Sequence, residues 1–335
     1  MKWENVYIAG SGTCLPLAVD ALDAVEAGDY DREEYETNGI LSVLVSEGLA
    51  PPEMAAEAAR TALKRADMDP SAVTLLLHSS LWFQGVDMWP AAAFVANQAG
   101  CVGAASFDVL QQCNGGLGAL EIGARHVTTT RTPALLTTGD RFCPPGVDRW
   151  RSDLGIVYGD GGTALALSPE GGQARLLATC TVADTSLEQV VRGAEFHQVA
   201  QAGSVVDIRG RRDHYLDVTG QELLDAVARP ARILHRAVAG ALAEAETEIG
   251  RIARVVTPAA GRPMLNLVLL AGFEESVTTW EFGRRTGHVG SGDQYAGLHH
   301  LINEGLVSPG DRVLLVGGGA GFTCTCAVVE ITEGV

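Results

Sequence analysis

The sequence predicts an α/β fold, because short β-rich runs alternate with helix-patterned segments through both halves of the chain. With 335 residues and 47% hydrophobic content, the chain can bury large cores, and its length alone suggests about two domains. A glycine-rich turn occurs late in each half, at 159–162 and at 317–321. We therefore expect two halves of similar architecture, divided as 1–170 and 171–335.

The first half contains five apolar, β-rich runs separated by segments with helical spacing of apolar residues. We predict strands at 5–9, 73–78, 105–110, 134–138 and 163–168, and helices at 52–66, 90–99 and 114–129.

The second half shows a matching order of elements without a repeat in sequence identity. We predict strands at 174–182, 253–257, 312–316 and 325–331, and helices at 219–248, 262–272 and 293–305. The segment 183–218 is polar and rich in Arg and Asp. We expect it to be an irregular insertion that lies over a pocket rather than part of a core.

Composition excludes several function classes. The formal charge of −17, from 24 basic and 41 acidic residues, disfavours nucleic acid and anionic membranes as partners. The start of the chain lacks the apolar stretch of a signal peptide, and no run of about eighteen apolar residues occurs. We expect a cytoplasmic protein.

Seven cysteines form no CxxC pair, which favours reduced thiols. Cys324 and Cys326 suit one face of a strand better than a metal site.

Cys113 is the strongest candidate for chemistry. It stands where a predicted strand ends and a glycine-containing helix begins, in Phe107 to Gly118 (FDVLQQCNGGLG). The free N–H groups and the dipole of a helix N-terminus favour a thiolate and can bind an oxyanion. A free cysteine is more often a buried filler, so the position alone leaves that alternative open.

The segment around Cys113 resembles the active-site segment of the thiolase superfamily, in particular of the β-ketoacyl-(acyl-carrier-protein) synthase III branch. Four further stretches agree in order and spacing: Val6 to Pro16 (VYIAGSGTCLP), the alanine-rich helix from Glu53 to Ala66, Tyr158 to Ala164 (YGDGGTA) and the turn from Pro309 to Thr323. The resemblance implies a thiolase fold with two halves related by a pseudo-twofold in five layers, αβαβα. It also implies a homodimer without cofactor or metal that acts on thioesters of coenzyme A or of an acyl carrier protein.

The chain departs from this family at the residues that usually assist the cysteine. Such synthases pair the cysteine with a His in a Pro-His-Gln-Ala-Asn stretch and an Asn in a Gly-Asn-Thr-Ser stretch. Counting along the chain puts Ala259 at the histidine position and His288 at the asparagine position. Decarboxylative condensation needs two hydrogen-bond donors to an enolate, so a methyl group at one position disfavours it.

His288 and Asp293 suggest a different chemistry. A carboxylate five residues after the imidazole can fold back onto it, which would give a nucleophile, general base and orienting acid with Cys113. This resembles a subgroup of synthase-III-like acyltransferases of antibiotic biosynthesis. Alternatively, Asp293 simply caps the following helix. We expect His299 and His300 at the surface and His78 as a core histidine with its hydrogen bonds satisfied.

The glycine-rich turn and a cluster of large apolar residues complete the candidate site. By resemblance, the backbone N–H groups of Cys113 and Ala320 form the oxyanion hole, and Gly319 lies against the substrate. Trp89, with Met88 and Phe83 nearby, stands where the family presents an aromatic residue from the dimer partner to the acyl pocket. Such a cluster is equally typical of a dimer core.

We therefore expect an acyltransferase that moves an intact acyl group to a hydroxyl, thiol or carrier acceptor in secondary metabolism, such as polyketide or antibiotic biosynthesis. One alternative is a starter-unit synthase III that condenses with a malonyl carrier, and another is a non-catalytic dimeric scaffold. Docking of an acidic carrier would need a local basic patch. The arginines of 209–236 could form one, although a solvated, salt-bridged face explains them equally well.

Overall fold

The computed structural model describes residues 1–193, 196, 205–220 and 223–332, and within these the chain forms eleven strands and eleven α-helices. The strands are β1 (Tyr7–Cys14), β2 (Leu17–Asp20), β3 (Ser42–Val45), β4 (Leu75–Ser79), β5 (Ala105–Val109), β6 (Ala134–Asp140), β7 (Gly161–Ser168), β8 (Ala174–Ala183), β9 (Ile252–Val256), β10 (Arg312–Gly319) and β11 (Thr323–Ile331).

The helices alternate with these strands, as predicted. They are α1 (Ala21–Glu26), α2 (Arg32–Asn38), α3 (Pro51–Arg65), α4 (Ala91–Gln98), α5 (Gly115–Thr130), α6 (Gln189–Arg192), α7 (Ile208–Thr219), α8 (Leu223–Glu244), α9 (Arg262–Leu269), α10 (Trp280–Thr286) and α11 (Asp293–Asn303). None of the described helices combines the length and the apolar character that crossing a bilayer requires.

Nine of the strands form one sheet with the order β5-β4-β6-β7-β1-β8-β11-β10-β9. The two halves share one pattern. In the first half β4 runs parallel to β6, β6 antiparallel to β7, and β7 antiparallel to β1. In the second half β9, β10, β11 and β8 repeat these relations in the same order, and β5 is an additional strand of the first half. The halves join where β1 pairs with β8 over only two residue pairs. In each half a helix precedes the equivalent strand: α5 precedes β6 in the first half, and α11 precedes β10 in the second.

Three apolar clusters arrange these elements in layers. Leu76 of β4 faces α3 and α4, while its neighbours Leu75 and Leu77 face a central cluster that contains α5 and α11. In the second half, Leu315 of β10 belongs to the central cluster and Leu314 packs beneath α8. This alternation follows from the two faces of a strand. The predicted α/β fold and the five-layered αβαβα arrangement are confirmed.

The sequence prediction was wrong for part of 183–218. Residues Ile208–Thr219 form helix α7, whose start is capped by the Asp207 carboxylate accepting the Gly210 N–H at 2.8 Å and whose end is Gly220 in a left-handed conformation. The sequence analysis missed this helix, because it contains many Arg and Asp residues and only a narrow stripe of apolar residues. The small sheet of β2 and β3 was also missed, since all four residues of β2 are exposed.

Candidate active site

Cys113 lies in a single 3₁₀ turn, Gln112–Asn114, between β5 and the first residue of α5. The predicted turn from strand to helix is therefore present. Asn114 anchors this turn to β11, because its side chain donates to the Thr325 hydroxyl and accepts the Thr325 N–H, both at 3.0 Å. The thiol is partly exposed, so it is accessible from the cavity described below.

The structure brings the three predicted catalytic residues together. His288 Nε2 lies 3.0 Å from the Cys113 Sγ, and His288 Nδ1 lies 2.6 Å from the Asp293 Oδ2. The imidazole and the carboxylate are buried, with exposed fractions of 2% and 3%. This is the order of contacts that a nucleophile, base and orienting carboxylate require.

Asp293 does not cap α11 with its side chain. Gly292 occupies the cap position, and the Asp293 carboxylate instead accepts the N–H of Val289 at 2.9 Å and the N–H of Ala259 at 2.7 Å, besides the imidazole. The two extra donors hold the carboxylate in one orientation. The alternative of a simple helix cap is therefore wrong for this residue.

Opposing effects set the protonation of His288. Burial alone would lower the pKa of the imidazole, but the Asp293 carboxylate and the Cys113 sulfur outweigh it and raise the pKa well above its ordinary value. The protein therefore favours an imidazolium that is held between a carboxylate and the sulfur. An imidazolium can protonate a leaving thiolate, which is the first proton transfer that thioester exchange needs.

A close approach of the two halves places His288 beside Cys113. A Cβ on Gly116, in the first turn of α5, would lie 2.3 Å from the Ser291 carbonyl oxygen. The Tyr295 hydroxyl of α11 also donates to the Gly116 carbonyl at 2.6 Å. Only glycine at 116 allows the N-terminal ends of α5 and α11 to meet, so the two halves each contribute one end of the site.

The glycine-rich turn after β10 packs on the nucleophile turn. A Cβ on Gly319 would lie 2.6 Å from the Gln111 carbonyl oxygen and 2.8 Å from the Asn114 nitrogen. Reciprocal backbone hydrogen bonds between Phe322 and Asp184, at 3.0 and 2.9 Å, tie the turn to the end of β8. Ala320 thus lines the same cavity as Cys113, and its oxyanion role stays a prediction.

Cys113 and His288 open into a cavity of about 260 Å³. This volume is close to the lower end of ligand-binding pockets, which span roughly 300–1,000 Å³. We call it the apolar chamber, because most of its lining comes from aliphatic and aromatic side chains: Leu81, Leu154, Ile156, Val190, Val191, Ile208, Pro230, Leu234, Pro258, Ala260, Met264, Leu267, Val268, Val316, Ala320 and Phe322. Such a lining suits a compact acyl group.

A second cavity of about 360 Å³ adjoins the apolar chamber and shares six lining residues with it, including Gln112, Tyr158 and Ala320. We call it the polar chamber, since Glu188, Arg192, Arg211 and Ser152 also line it. The two chambers meet beside the Cys113 turn. The arrangement offers two adjoining spaces, one lined mainly by apolar side chains and one lined also by charged side chains.

Ala259 does not line the apolar chamber, although its neighbours Pro258 and Ala260 do. It packs instead against Gly283 of α10, where a Cβ added to the glycine would lie 3.2 Å from the Ala259 Cβ. The expectation that the Ala259 methyl group faces the substrate is therefore wrong. The chemical conclusion is unchanged, because Pro258 and Ala260 carry no side-chain hydrogen-bond donor, and His288 is the one imidazole among the described lining residues.

The predicted substrate-binding residues fall into two groups. Gly319 lines the apolar chamber. Trp89, Met88 and Phe83 lie outside both described chambers: Trp89 packs edge-on against Phe94, Met88 is fully exposed, and Phe83 is 49% exposed. Their proposed contact depends on a second copy of the chain and stays a prediction.

Several other histidines and arginines have structural partners. His78 is buried between Thr137 and Gln84, and His299 is half-buried beside the Ser11 hydroxyl rather than at the surface. Arg209 pairs with Glu34, and Arg229 with Asp184. These ion pairs account for two members of the arginine-rich stretch 209–236. Within the described ranges, no group of three or more His, Cys, Asp or Glu side chains could hold a metal ion.

Sequence reasoning missed four polar residues of the apolar chamber: Gln112, Asp153, Tyr158 and Arg212. Tyr158 opens the Gly-Asp-Gly stretch, which in the sequence indicates only the family, and its ring centroid lies 5.8 Å from that of His288. Asp153 and Arg212 carry no sequence signal that separates them from neighbouring charged residues. Their position emerges only when α7 packs against the loop before β7.

The chain matches two family models. Residues 107–185 match 3-oxoacyl-(acyl-carrier-protein) synthase III, and residues 242–331 match the C-terminal part of the same family. The first match contains Cys113, and the second contains His288 and Asp293. Together they cover half of the chain.

Similar proteins are found along nearly the whole length. The beta-ketoacyl-(acyl-carrier-protein) synthase III of Aquifex aeolicus (strain VF5) is 24% identical over 319 residues, 94% of this chain and 96% of the relative. The acetoacetyl CoA synthase NphT7 of Streptomyces sp. (strain CL190) is 25% identical over 331 residues, with 96% and 98% covered. The solved structure of the acyltransferase ChlB3 is 34% identical, with 98% of each chain covered and a TM-score of 0.92.

Proposed function

Because the chain belongs to the 3-oxoacyl-(acyl-carrier-protein) synthase III family of the thiolase superfamily, we propose that it is an acyltransferase that moves an intact acyl group by way of a Cys113 thioester. The donor is a thioester of coenzyme A or of an acyl carrier protein. The acceptor is a hydroxyl or thiol of a small molecule or carrier in secondary metabolism. The observation that supports this best is the Cys113–His288–Asp293 chain of contacts at 3.0 and 2.6 Å.

In the first half-reaction, the Cys113 thiolate attacks the carbonyl carbon of the donor thioester. The new C–S bond forms as the bond to the donor sulfur breaks, and His288 gives its proton to the leaving thiolate. The N–H groups of Cys113 and Ala320 would stabilise the negative oxygen of the tetrahedral intermediate. The acyl group then occupies the apolar chamber.

In the second half-reaction, the neutral His288 imidazole takes the proton of the acceptor hydroxyl or thiol. The acceptor oxygen or sulfur attacks the Cys113 thioester, and the Cys113 thiolate leaves. Asp293 stabilises the imidazolium that forms, as its contact with Nδ1 allows. The polar chamber is the space through which we expect this acceptor to approach.

The wall of the apolar chamber favours transfer over condensation. A synthase that decarboxylates a malonyl group must stabilise an enolate, whereas Pro258 and Ala260 offer no side-chain donor for it. The loss of one such donor costs about 3–4 kcal/mol of transition-state stabilisation, by analogy with oxyanion-hole deletions. Transfer needs only the oxyanion hole and the base.

A second candidate function is decarboxylative condensation by a starter-unit synthase. It is supported by the names of the relatives, which include beta-ketoacyl-(acyl-carrier-protein) synthases III. The two functions differ in one product, carbon dioxide. Release from a malonyl thioester that depends on Cys113 would favour the second candidate.

We also propose that the chain acts as a homodimer. Strand β5 lies at the edge of the nine-stranded sheet with its outer hydrogen-bonding groups unpaired in the sheet order. Phe107 on this strand is 56% exposed and Leu110 beside it is 75% exposed, which is unfavourable in water. Sedimentation of the purified protein tests this proposal, since Phe107→Asp should convert a dimer to a monomer.

The acyl transfer itself is tested by intact-protein mass spectrometry after incubation with a panel of acyl thioesters. We expect the mass of one acyl group on the wild type and none on Cys113→Ala. Cys14→Ala is a matched control, because Cys14 is another partly exposed thiol and burial raises its pKa. An acyl mass that persists on Cys113→Ala would show that the nucleophile is another residue, and no acyl mass on the wild type would favour a non-catalytic scaffold.

A further inference from the structure

The lining of the apolar chamber includes polar groups that the acyl-transfer chemistry does not use. Asp153, Tyr158 and Arg212 line the chamber together, although most of the remaining lining is aliphatic or aromatic. Two of the three come from the loop before β7 and one from α7. Polar groups inside an apolar pocket usually fix the orientation of a ligand.

The Arg212 guanidinium lacks a close partner in the described part of the chain. Its nearest carboxylate is that of its own neighbour Asp213, with the Nε–Oδ1 distance at 3.9 Å, and 71% of the Asp213 side chain is exposed. No hydrogen bond from Arg212 to another described residue is present. The other arginines near the two chambers differ, since Arg192 pairs with Glu188 at 2.8 Å and Arg211 donates to the Val191 carbonyl at 3.2 Å. The guanidinium has five N–H donors, and no hydrogen bond to a described residue occupies them.

Asp153 offers the complementary acceptors. Its Oδ1 accepts the Leu154 N–H at 2.7 Å and its Oδ2 accepts the Tyr158 hydroxyl at 3.1 Å. Two oxygens provide about four lone-pair sites, so about two remain open. Burial raises the pKa of the Asp153 carboxyl, against the hydrogen bonds from Leu154 and Tyr158 and the charge of Arg212. The Tyr158 hydroxyl keeps its proton, because burial and the nearby Asp153 charge raise its pKa well above the ordinary value.

We propose that Arg212 and Asp153, the latter positioned by Tyr158, select an acyl group that carries a hydroxyl. This inference rests on the proposed acyl transfer and specifies its substrate class. A hydroxyl can accept from Arg212 and donate to Asp153 at the same time. A carboxylate would suit Arg212 but would face the Asp153 carboxylate, and an unsubstituted chain would leave both groups without partners. The small volume of the chamber favours a compact hydroxyacyl group over a long chain.

The test compares rates of Cys113 acylation for matched thioesters of N-acetylcysteamine. The probes are benzoyl with its 2-, 3- and 4-hydroxy derivatives, hexanoyl with 5-hydroxyhexanoyl, and the half-thioester of succinate. We expect at least one hydroxylated probe to exceed its parent by tenfold or more in kcat/KM, and the succinyl probe to show no such gain. Sites that bind a substrate hydroxyl discriminate strongly against the analogue that lacks it.

Two substitutions attribute the preference to the proposed residues. Arg212→Met and Asp153→Asn should each reduce the ratio of hydroxylated to parent rates by at least fivefold. Arg232→Met is the matched control, because Arg232 is an exposed arginine on α8 that lines neither chamber, so the ratio should not change.

The outcomes separate this inference from the proposed function. Acylation without preference for any hydroxylated probe, or an unchanged ratio in Arg212→Met, would overturn the inference and leave acyl transfer intact. An equal loss with all probes in Arg212→Met would show that the arginine supports the fold only. Failure of every thioester to acylate Cys113 would refute both the inference and the proposed function.

Discussion

Asp293→Asn tests the central geometry of the site. The two carboxylate oxygens accept three buried donors: Oδ2 from His288 and from Ala259, and Oδ1 from Val289. An amide has one acceptor oxygen, so in either orientation its NH₂ group faces at least one N–H. One buried donor left without an acceptor costs about 1–3 kcal/mol of unfolding free energy, which lowers the melting temperature by a few degrees.

The effect on catalysis is larger than the effect on stability. Without the carboxylate, burial dominates and the pKa of His288 falls, so the imidazolium that forms during attack by a hydroxyl is no longer stabilised. We expect turnover with a hydroxyl acceptor to fall by about 10²–10⁴-fold, in the range found when the aspartate of a serine-protease triad is replaced. Self-acylation should fall less, because a thiolate at a helix end attacks a thioester with little help.

The pH dependence gives an independent measure. A base must be neutral, so wild-type acceptor turnover should rise as the pH passes upward through the raised pKa of His288. In Asp293→Asn this rise should move to lower pH. The contribution of the raised pKa to folding stability has the opposite trend, because it is complete below the unfolded pKa of about 6.5 and is lost as the pH rises through the folded pKa.

The measurements are single-turnover acylation, followed by mass spectrometry, and steady-state transfer to a hydroxyl acceptor. Asp31→Asn is the matched control, because Asp31 caps α2 at the surface by accepting the Glu34 N–H at 3.0 Å. Asn and Asp cap helices about equally well, so both rates should stay at the wild-type level. Wild-type acceptor turnover in Asp293→Asn would refute the assignment of Asp293 as the orienting carboxylate.

Three further perturbations test other parts of the structure. Gly116→Ala should reduce acylation of Cys113 by at least tenfold, because its Cβ would press on the Ser291 carbonyl. Gly118→Ala is the control and should keep the wild-type rate, since the nearest contact of its Cβ lies at 3.8 Å. Equal rates for the two variants would contradict the proposed close approach. Burial raises the pKa of Asp140 from 3.8 to about 7. The free energy of unfolding of the wild type, measured by urea denaturation relative to Asp140→Asn, should therefore fall as the pH rises from about 4 to about 7. A difference that stays constant with pH would exclude this titration. Wild-type protein should release no more carbon dioxide from a malonyl thioester than Cys113→Ala does, and brisk Cys113-dependent release would replace transfer by condensation.

Much of the fold was predictable because its signals are local. The runs 134–138 and 163–168 differ from the observed β6 and β7 by at most two residues at either end, since both strands are almost entirely buried. Helix α3 has an alanine-rich pattern, and it was predicted within one residue at each end. Helix α7 and the pair β2 and β3 were missed because packing rather than periodicity determines them.

Some residues of the candidate site could likewise be predicted from the sequence, and others could not. Cys113, His288 and Asp293 were identified from motif spacing, and the structure places them in contact. The role of Ala259 was misjudged, because adjacent residues here face opposite sides. Pro258 and Ala260 line the chamber, whereas Ala259 packs against α10. Asp153 and Arg212 are 59 residues apart in sequence, and only the tertiary structure shows that they line one cavity.

The hydrogen bond between Cys113 and His288 joins residues 175 positions apart. During synthesis, the first half of the chain leaves the ribosome with its thiol but without the imidazole, the carboxylate or the glycine-rich turn. Contacts of such long range are among the last to form, since their loop-closure entropy must be overcome first. Thioester exchange therefore becomes available only to a finished chain, and its appearance during refolding reports when the two halves have docked.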